Sequence, residues 1–475
     1  MSEASVHPVR IGDDAVTTDD VIEVRSPYDG GLLGSVPACG AAEVDRAVRC
    51  ARQAMAEGLP TWKRIAVLDA AAVALREQQE EFARTIAREA AKPIATARVE
   101  AARAVLTFEF AAAEARTLSG QMVPMDAAQP GDGKLGFTLR LPIGVVGAIS
   151  PFNFPLNLVA HKLAPAIAAG CAVVLKPASS TPFSAIALAE LLIDECGLPA
   201  GWLNVVTGGG GTVGNALVDH PDVAMITFTG SPDVGWGIRG RAPRKKVSLE
   251  LGNNSPVIIE PSGDWEAAAD KIKVAGFSHA GQSCISTQRV YVHRSIADGF
   301  VARLVDQVAT LRVGDPLDDA TDVSALIDPG ETERVKSWID EAVADGATVA
   351  TGGTVEGRLL QPTVLTGVTD SMTISTGEVF GPVVAVQVYD EFDDALARAN
   401  DTHYGLQAAV FTADLGTALR AARELDFGGV LVNEVPTFRT DQMPYGGVRD
   451  SGNTKEGPHW SVREMTQERL VILQG

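Results

Sequence analysis

The sequence predicts an α/β protein with two doubly wound parallel-sheet units and a small projecting β flap. Three observations carry this. Short β-branched runs alternate with helical patterns from residue 144, and the same rhythm resumes after Cys284. An extended excursion at 120–142 can pair with the last segment, 468–475. Strands alternating with crossover helices give parallel sheets covered on both faces.

The elements follow in order. Residues 41–57 carry Val44, Ala47, Val48, Ala51 and Met55 on one helical face, and Ala-rich helices continue to about residue 117. The stretch "GQMVPMDAAQPGDGKLGFTLRLP" (120–142) then breaks the pattern. Its Gly/Pro/Asp tip between two extended runs reads as a hairpin-like excursion. "GVVGAIS" (144–150), "AVVLKP" (172–177), "LNVVTG" (203–208), "AMITFTGS" (224–231) and "KVSLELG" (246–252) read as strands. The helices between them are expected near 157–169, 183–196, 212–219 and 232–240. A second run has strands at "RVYVHR" (289–294), "GATVATGG" (346–353), "PVVAVQVY" (382–389), "LQAAVFT" (406–412) and "GGVLVNE" (428–434), with helices between. The final "ERLVILQG" is expected to partner the excursion, because an isolated hairpin is marginal in water.

A chain of 475 residues suggests two or three domains, and 46% hydrophobic content supports a large core. The net charge of −20 argues against nucleic acid and anionic membrane as partners, since both favour a basic face. It reads as solubility, with a salt-adapted host as the alternative. The five cysteines (Cys39, Cys50, Cys171, Cys196, Cys284) are odd in number and contain no CxxC, which fits a reducing cytoplasm better than a disulfide framework. The start "MSEASVHPVRIGDD" lacks a basic region followed by an apolar run, so no signal peptide is expected. The most apolar run, 163–175, is too short for a bilayer and is broken by Pro165 and Gly170.

Parallel sheets bind ligands beyond the carboxyl ends of their strands, and the informative residues collect at strand ends. In "FTGSPDVG", Gly230 and Gly235 have the outer spacing of a phosphate turn without its middle glycine. The segment reads either as a tight turn or as a helix N-terminus, with Ser231, facing a pyrophosphate. "GGGG" (208–211) reads as a flexible loop or as backbone brought close to a ligand. Lys176 ends an apolar strand, where a cation can bind ribose hydroxyls or a phosphate, and Ser179 beyond it is small and neutral. Glu250 is either a surface carboxylate or an acid at the end of a strand. Asn153, in "PFNFP", is either a turn residue or an amide donor to an oxyanion. Cys284, in "GQSCIS", is either a buried small residue or a nucleophile. As a set, a thiol, an amide donor, a carboxylate and a phosphate turn describe thiolate attack with hydride removal.

These stretches, with "LKPASSTP", "LELGNN", "EVFGPV" (378–383) and "PYGGVRDSG" (444–452), occur in an order that resembles the aldehyde dehydrogenase superfamily over nearly the full chain. The 34-residue separation of Glu250 from Cys284 is also similar. The resemblance implies a Rossmann-like cofactor domain (1–119 and 141–251), a catalytic domain (252–460) and oligomerisation strands (120–140 and 461–475). It implies oxidation of a small aldehyde to a carboxylic acid with NADP or NAD and no metal, in a cytoplasmic homodimer or homotetramer. Cys284 would be the nucleophile, Asn153 and the Cys284 N–H the oxyanion donors, and Glu250 the general base. Ile149, Ser150, Pro151, Phe152, Lys176, Ala178 and Ser179 would hold the cofactor. So would Gly210, Gly214, Phe228, Gly230, Ser231, Val234, Leu251 and Gly252, with Glu378 and Phe380 at the nicotinamide end. Phe154, Leu158, His161, Ser283, Ile285, Arg439 and Tyr445 would line the substrate pocket, with His161 and Arg439 gripping a polar group on the aldehyde.

Three departures bear on function. Ser179 stands where many NAD-specific members carry a glutamate, leaving room for a 2′-phosphate and pointing to NADP acceptance. Asn253 replaces the second glycine of "ELGGN" and is expected to tolerate that glycine's positive φ. "DSGNTKEG" (450–457) lacks one glycine, in a turn expected to lie far from the thiol. Ser278 occupies the position of an arginine common in semialdehyde-oxidising members, which favours a lactaldehyde- or glyceraldehyde-phosphate-like substrate instead. Two rival readings are a coenzyme A-acylating relative, which would commonly lack the Glu250 base, and a catalytically silent protein on the same fold.

Overall fold

The computed structural model describes residues 6–474. Residues 1–5 of the start and Gly475 of the final strand lie outside the described residues.

A five-stranded, all-parallel sheet runs in the spatial order Lys246–Glu250, Val223–Thr229, Val145–Ile149, Val173–Lys176, Leu203–Val205. Its central strand Val145–Ile149 is buried throughout, so it reads as a continuous apolar run and not as an alternating one. The helix Asn157–Ala169 is buried along its whole length and stops where Gly170 takes φ +83°. The predicted helix at 183–196 is an α-helix, Phe183–Glu190, continued by a π turn, Leu191–Glu195. In the helix Ala41–Glu57 the inward face is completed by Ala54, while Met55 is half-buried. The N-terminal pairs Val9–Ile11 with Asp14–Val16, and Val21–Arg25 with Leu32–Pro37, have no counterpart in the sequence reading.

The second sheet has seven strands, in the order Thr348–Thr351, Thr363–Thr366, Val383–Tyr389, Arg289–His293, Pro256–Ile259, Gln407–Phe411, Gly429–Val432. The first is antiparallel to its neighbour; the other pairings are parallel. This unit begins with Pro256–Ile259 and the helix Trp265–Phe277, upstream of Cys284 and not after it. The strand was hidden because "PVII" is only four residues long and follows the strand Lys246–Glu250 with no helix between. Each sheet has its own apolar cluster.

The flap is a three-stranded antiparallel sheet. Lys134–Pro142 pairs with Met122–Val123 on one side and with Thr466–Gln474 on the other, over nine positions from Pro142↔Thr466 to Lys134↔Gln474. Among the described residues no helix is long and apolar enough to cross a membrane.

Candidate active site

The parallel register of the first sheet sets its strand ends side by side: Ile149 beside Lys176 and Phe228, and Thr229 beside Glu250. These ends form one wall of a cavity of about 770 Å³, within the range of small-molecule sites. The opposite wall comes from the second sheet. Cys284 precedes the strand Arg289–His293, and Glu378 and Phe380 precede Val383–Tyr389. The thiol is therefore brought in at an amino end, facing the carboxyl ends of the other sheet.

The chain reaches Cys284 through three consecutive left-handed residues, His279 (φ +50°), Ala280 (φ +52°) and Gly281 (φ +71°). Such conformations cost non-glycine residues about 1–3 kcal/mol each. A Cβ on Gly281 would collide with the Gly381 carbonyl. This turn, which no sequence pattern announces, stops the helix Trp265–Phe277 and re-aims the chain. Part of Cys284 reaches the cavity surface, yet the surrounding protein crowds its sulfur, and burial pushes the thiol up to about 12. The sulfur lies 2.8 Å from the Tyr445 hydroxyl.

Asn153 is buried and donates one amide hydrogen to the Gln282 carbonyl at 2.9 Å. That bond fixes the amide next to Cys284 and leaves its second hydrogen free. Glu250 is buried with neither carboxylate oxygen partnered. Burial, then the nearby Glu456, hold its carboxyl well above the usual carboxylate range, against the pull of Arg439, Lys162 and Lys455.

At the cofactor end, Ile149, Ser150, Pro151 and Phe152 line the cavity, with Lys176, Ala178 and Ser180 beside them. Ser179 does not line it: its hydroxyl donates to the Gly208 carbonyl at 3.0 Å, and Ser180 lines the cavity. Lys176 Nζ donates to the Pro177 carbonyl at 2.8 Å, and burial brings its ammonium down to about 8. Gly210 and Gly214 line the cavity; beyond the Cα of Gly210 and Gly211 the space is open for 4 Å, so the backbone there can meet a ligand closely. Phe228, from the end of its strand, lines the cavity with Gly230, Ser231 and Val234 at the start of the helix Pro232–Arg241, where the Ser231 side chain does not cap. Leu251 and Gly252 complete that side. Gly235 is set by packing, since a Cβ there would strike Leu251. Glu378 accepts from the Asn253 N–H at 2.9 Å, and burial raises its carboxyl to about 7. The unpartnered buried hydroxyl of Ser150, the cation at Lys176 and the open glycine cradle fit a dinucleotide.

Of the residues expected at the substrate, Leu158 lines this cavity. Ile285 and Tyr445 pack with Leu406 and Met443 against Cys284. Ser283 is partly buried beside it, and Phe154 lies under Lys92 Nζ, 3.6 Å from the ring centre. His161 and Arg439 are not free to grip an aldehyde, which corrects that expectation. His161 is 1% exposed and binds Asp441 at 2.9 Å; burial, then Arg439, push its imidazole below the ordinary range, against the pull of Asp441 and Glu456. Arg439 is paired with Glu456 at 2.7 Å. These two acids belong to a buried network in which Asp441 also binds Arg103, and Glu456 faces Lys162 at 3.7 Å. Sequence reasoning missed Lys162, Asp441 and Glu456. The one available signal was a lysine inside the apolar run "VAHKLAPAIAA".

Two further expectations are corrected. Asn253 is absent from the positive-φ residues, so its conformational tolerance is not used. Its amide instead donates to the Ser255 hydroxyl and the Gln407 carbonyl. The 450–457 turn is not remote: Asn453 brackets the strand of Glu250, accepting from the Leu249 N–H and donating to the Val247 carbonyl. Pairing across about two hundred residues brings it there.

Residues 15–471 match the aldehyde dehydrogenase family. The chain is 46% identical to the 3-sulfolactaldehyde dehydrogenase of Priestia aryabhattai, with 96% of each covered. It is 38% identical to a lactaldehyde dehydrogenase of Methanocaldococcus jannaschii, with 95% of this chain and 97% of that one covered. The crystal structure of an NADP-dependent glyceraldehyde-3-phosphate dehydrogenase from Bacillus halodurans, complexed with NADP, superposes with a TM-score of 0.96 at 36% identity, covering 99% of both chains. With that agreement along the whole chain, and a thiol facing a dinucleotide-shaped cavity, the protein belongs to the aldehyde dehydrogenase family and oxidises an aldehyde to a carboxylic acid with NAD(P)+.

Proposed function

We propose that Cys284 is the nucleophile, Asn153 the oxyanion donor and Glu250 the general base, acting on a short hydroxyaldehyde with NADP accepted. The observation that carries this reading is the convergence of Cys284, Asn153 and an unpartnered, buried Glu250 on one cavity with a glycine-rich cradle. Cys284 loses its proton and its sulfur bonds to the carbonyl carbon, leaving charge on oxygen. The free Asn153 amide hydrogen and the Cys284 N–H receive that charge; one such donor is worth about 2.7–4 kcal/mol of barrier. The nicotinamide cofactor, when bound, supplies the hydride acceptor. As the carbonyl re-forms, the substrate C–H bond breaks with loss of hydride, and the acyl group is left on sulfur as a thioester. Glu250 takes a proton from water, whose oxygen attacks the thioester; the C–S bond then breaks, releasing the carboxylic acid and the Cys284 thiolate. Lys176, Ser231 and the 210–214 backbone would hold the dinucleotide, with Glu378 and Phe380 at the ring end.

The small apolar group of Ile285, Leu406, Met443 and Tyr445 around the thiol supports a short substrate. The relatives named for sulfolactaldehyde and lactaldehyde support a hydroxyaldehyde. A panel of short aldehydes, hydroxyaldehydes and semialdehydes, each assayed with both cofactors, tests this; preference for a long unsubstituted aldehyde overturns it. NADP acceptance rests on the absence of an acid at position 179. Ser179→Glu is expected to lower kcat/KM for NADP by about tenfold to a hundredfold, because a carboxylate would oppose a 2′-phosphate. It should leave NAD turnover within a few fold. An equal loss with both cofactors would remove this explanation.

The division into a cofactor part (1–119 and 141–251), a catalytic part (252–460) and flap strands (120–140 and 461–475) is proposed as a division of labour. The outer strand of the flap exposes Leu470, Ile472 and Leu473, an apolar surface that supports a homodimer or a pair of dimers. Light scattering should give a mass of two or four chains, and a strictly monomeric mass at micromolar concentration contradicts it. Five free cysteines fit a cytoplasmic setting.

A further inference from the structure

We propose that Tyr445 is a catalytic residue whose hydroxyl, backed by the Arg439 guanidinium, donates the hydrogen bond that stabilises the Cys284 thiolate. The inference rests on the reading of Cys284 as nucleophile.

Three observations carry it. The Tyr445 oxygen is 2.8 Å from the Cys284 sulfur. The Arg439 guanidinium lies over the Tyr445 ring, 3.7 Å from its centre, and is held there by its ion pair to Glu456. Ile285, Leu406 and Met443 close around the pair, so water is poorly placed to replace the hydroxyl.

The bond strengthens as the thiol ionises. A neutral thiol and a phenol exchange a weak hydrogen bond in either direction. Once the thiol proton has left for solvent through the open cavity, only the phenol can donate, and the bond becomes charge-assisted. A positive charge against the ring makes the phenol a better donor.

The other charged groups facing the sulfur oppose ionisation. Glu250 approaches from the end of its strand and Glu378 from the segment before Val383–Tyr389. Burial is the largest opposing influence, and Tyr445 and Arg439 are the groups that favour the thiolate. The side of the pocket away from the cofactor cavity thereby activates the thiol.

Tyr445→Phe keeps the ring, its contact with Arg439 and the apolar packing, and removes the donor. The test uses the cofactor-free enzyme, alkylated with iodoacetamide and read as modified Cys284 by peptide mass. At about pH 8 the variant is expected to react about tenfold more slowly than the parent, corresponding to a thiol raised by about one pH unit. The thiolate ultraviolet absorbance, taken as the difference from Cys284→Ala in each background, should shift upward in pH by the same amount, with an unchanged Tm. Equal or faster alkylation together with an unshifted absorbance overturns the proposal. Retention of aldehyde oxidation by Cys284→Ala would instead overturn the nucleophile assignment on which it rests.

Discussion

Cys284→Ala is expected to lower kcat/KM for aldehyde oxidation by at least about 10⁴-fold, the scale on which removal of a covalent nucleophile acts. The loss should fall on chemistry alone. The cavity proposed for the dinucleotide is lined by the strand ends at 149–152, 176–178 and 228–231 and by Glu378, so cofactor affinity should stay within a few fold when followed by fluorescence titration. Stability should change little, because the substitution removes one sulfur at a half-buried position. Cys50, the other half-buried cysteine, is no substitute: it packs at Gly12, away from the cavity-lining residues. Unchanged oxidation by the variant would remove the thiohemiacetal from the account.

Glu250→Gln is expected to uncouple the two halves of the reaction. Glutamine preserves shape and cannot accept a proton, so acylation should proceed and hydrolysis should stall. Rapid mixing should show a burst of about one reduced cofactor per site, followed by steady turnover about 10²–10⁴-fold below the parent. Both Glu250 oxygens are buried and unpartnered, so the substitution breaks no hydrogen bond in the chain. The pH dependence has a defined sign. Burial and Glu456 raise this carboxyl, and only its ionised form is a base, so hydrolysis in the parent should climb with pH beyond the ordinary carboxylate range. The variant should lack that rise. A variant that turns over at the parental rate, or shows no burst, would move Glu250 out of the hydrolytic step.

The legible part of the site was that carried by strand ends. A short apolar strand followed by a polar or glycine residue is a local pattern; it marked Asn153, Lys176, Gly230 and Glu250 as candidates, and the family resemblance supplied their roles. Cys284 needed the family's ordered motifs, since a single cysteine after a glycine has no distinguishing period. One local inference failed: Asn253 was read through its backbone, yet its side chain is committed to Gln407, 154 residues away.

By itself the sequence determined the strand–helix alternation, the parallel sheets and the chemistry stored at their ends, because these follow from side-chain periodicity over a few residues. Only the tertiary structure decided which groups meet. Tyr445 reaches the Cys284 sulfur from 161 residues away, and Asn453 braces the Glu250 strand from 204. His161 is hydrogen-bonded to Asp441, and Arg439 is ion-paired with Glu456, in place of the substrate. Burial raises the energetic cost of an unpaired charge, so the partner that packing supplies, and not the residue type, fixes what each ionisable group can do.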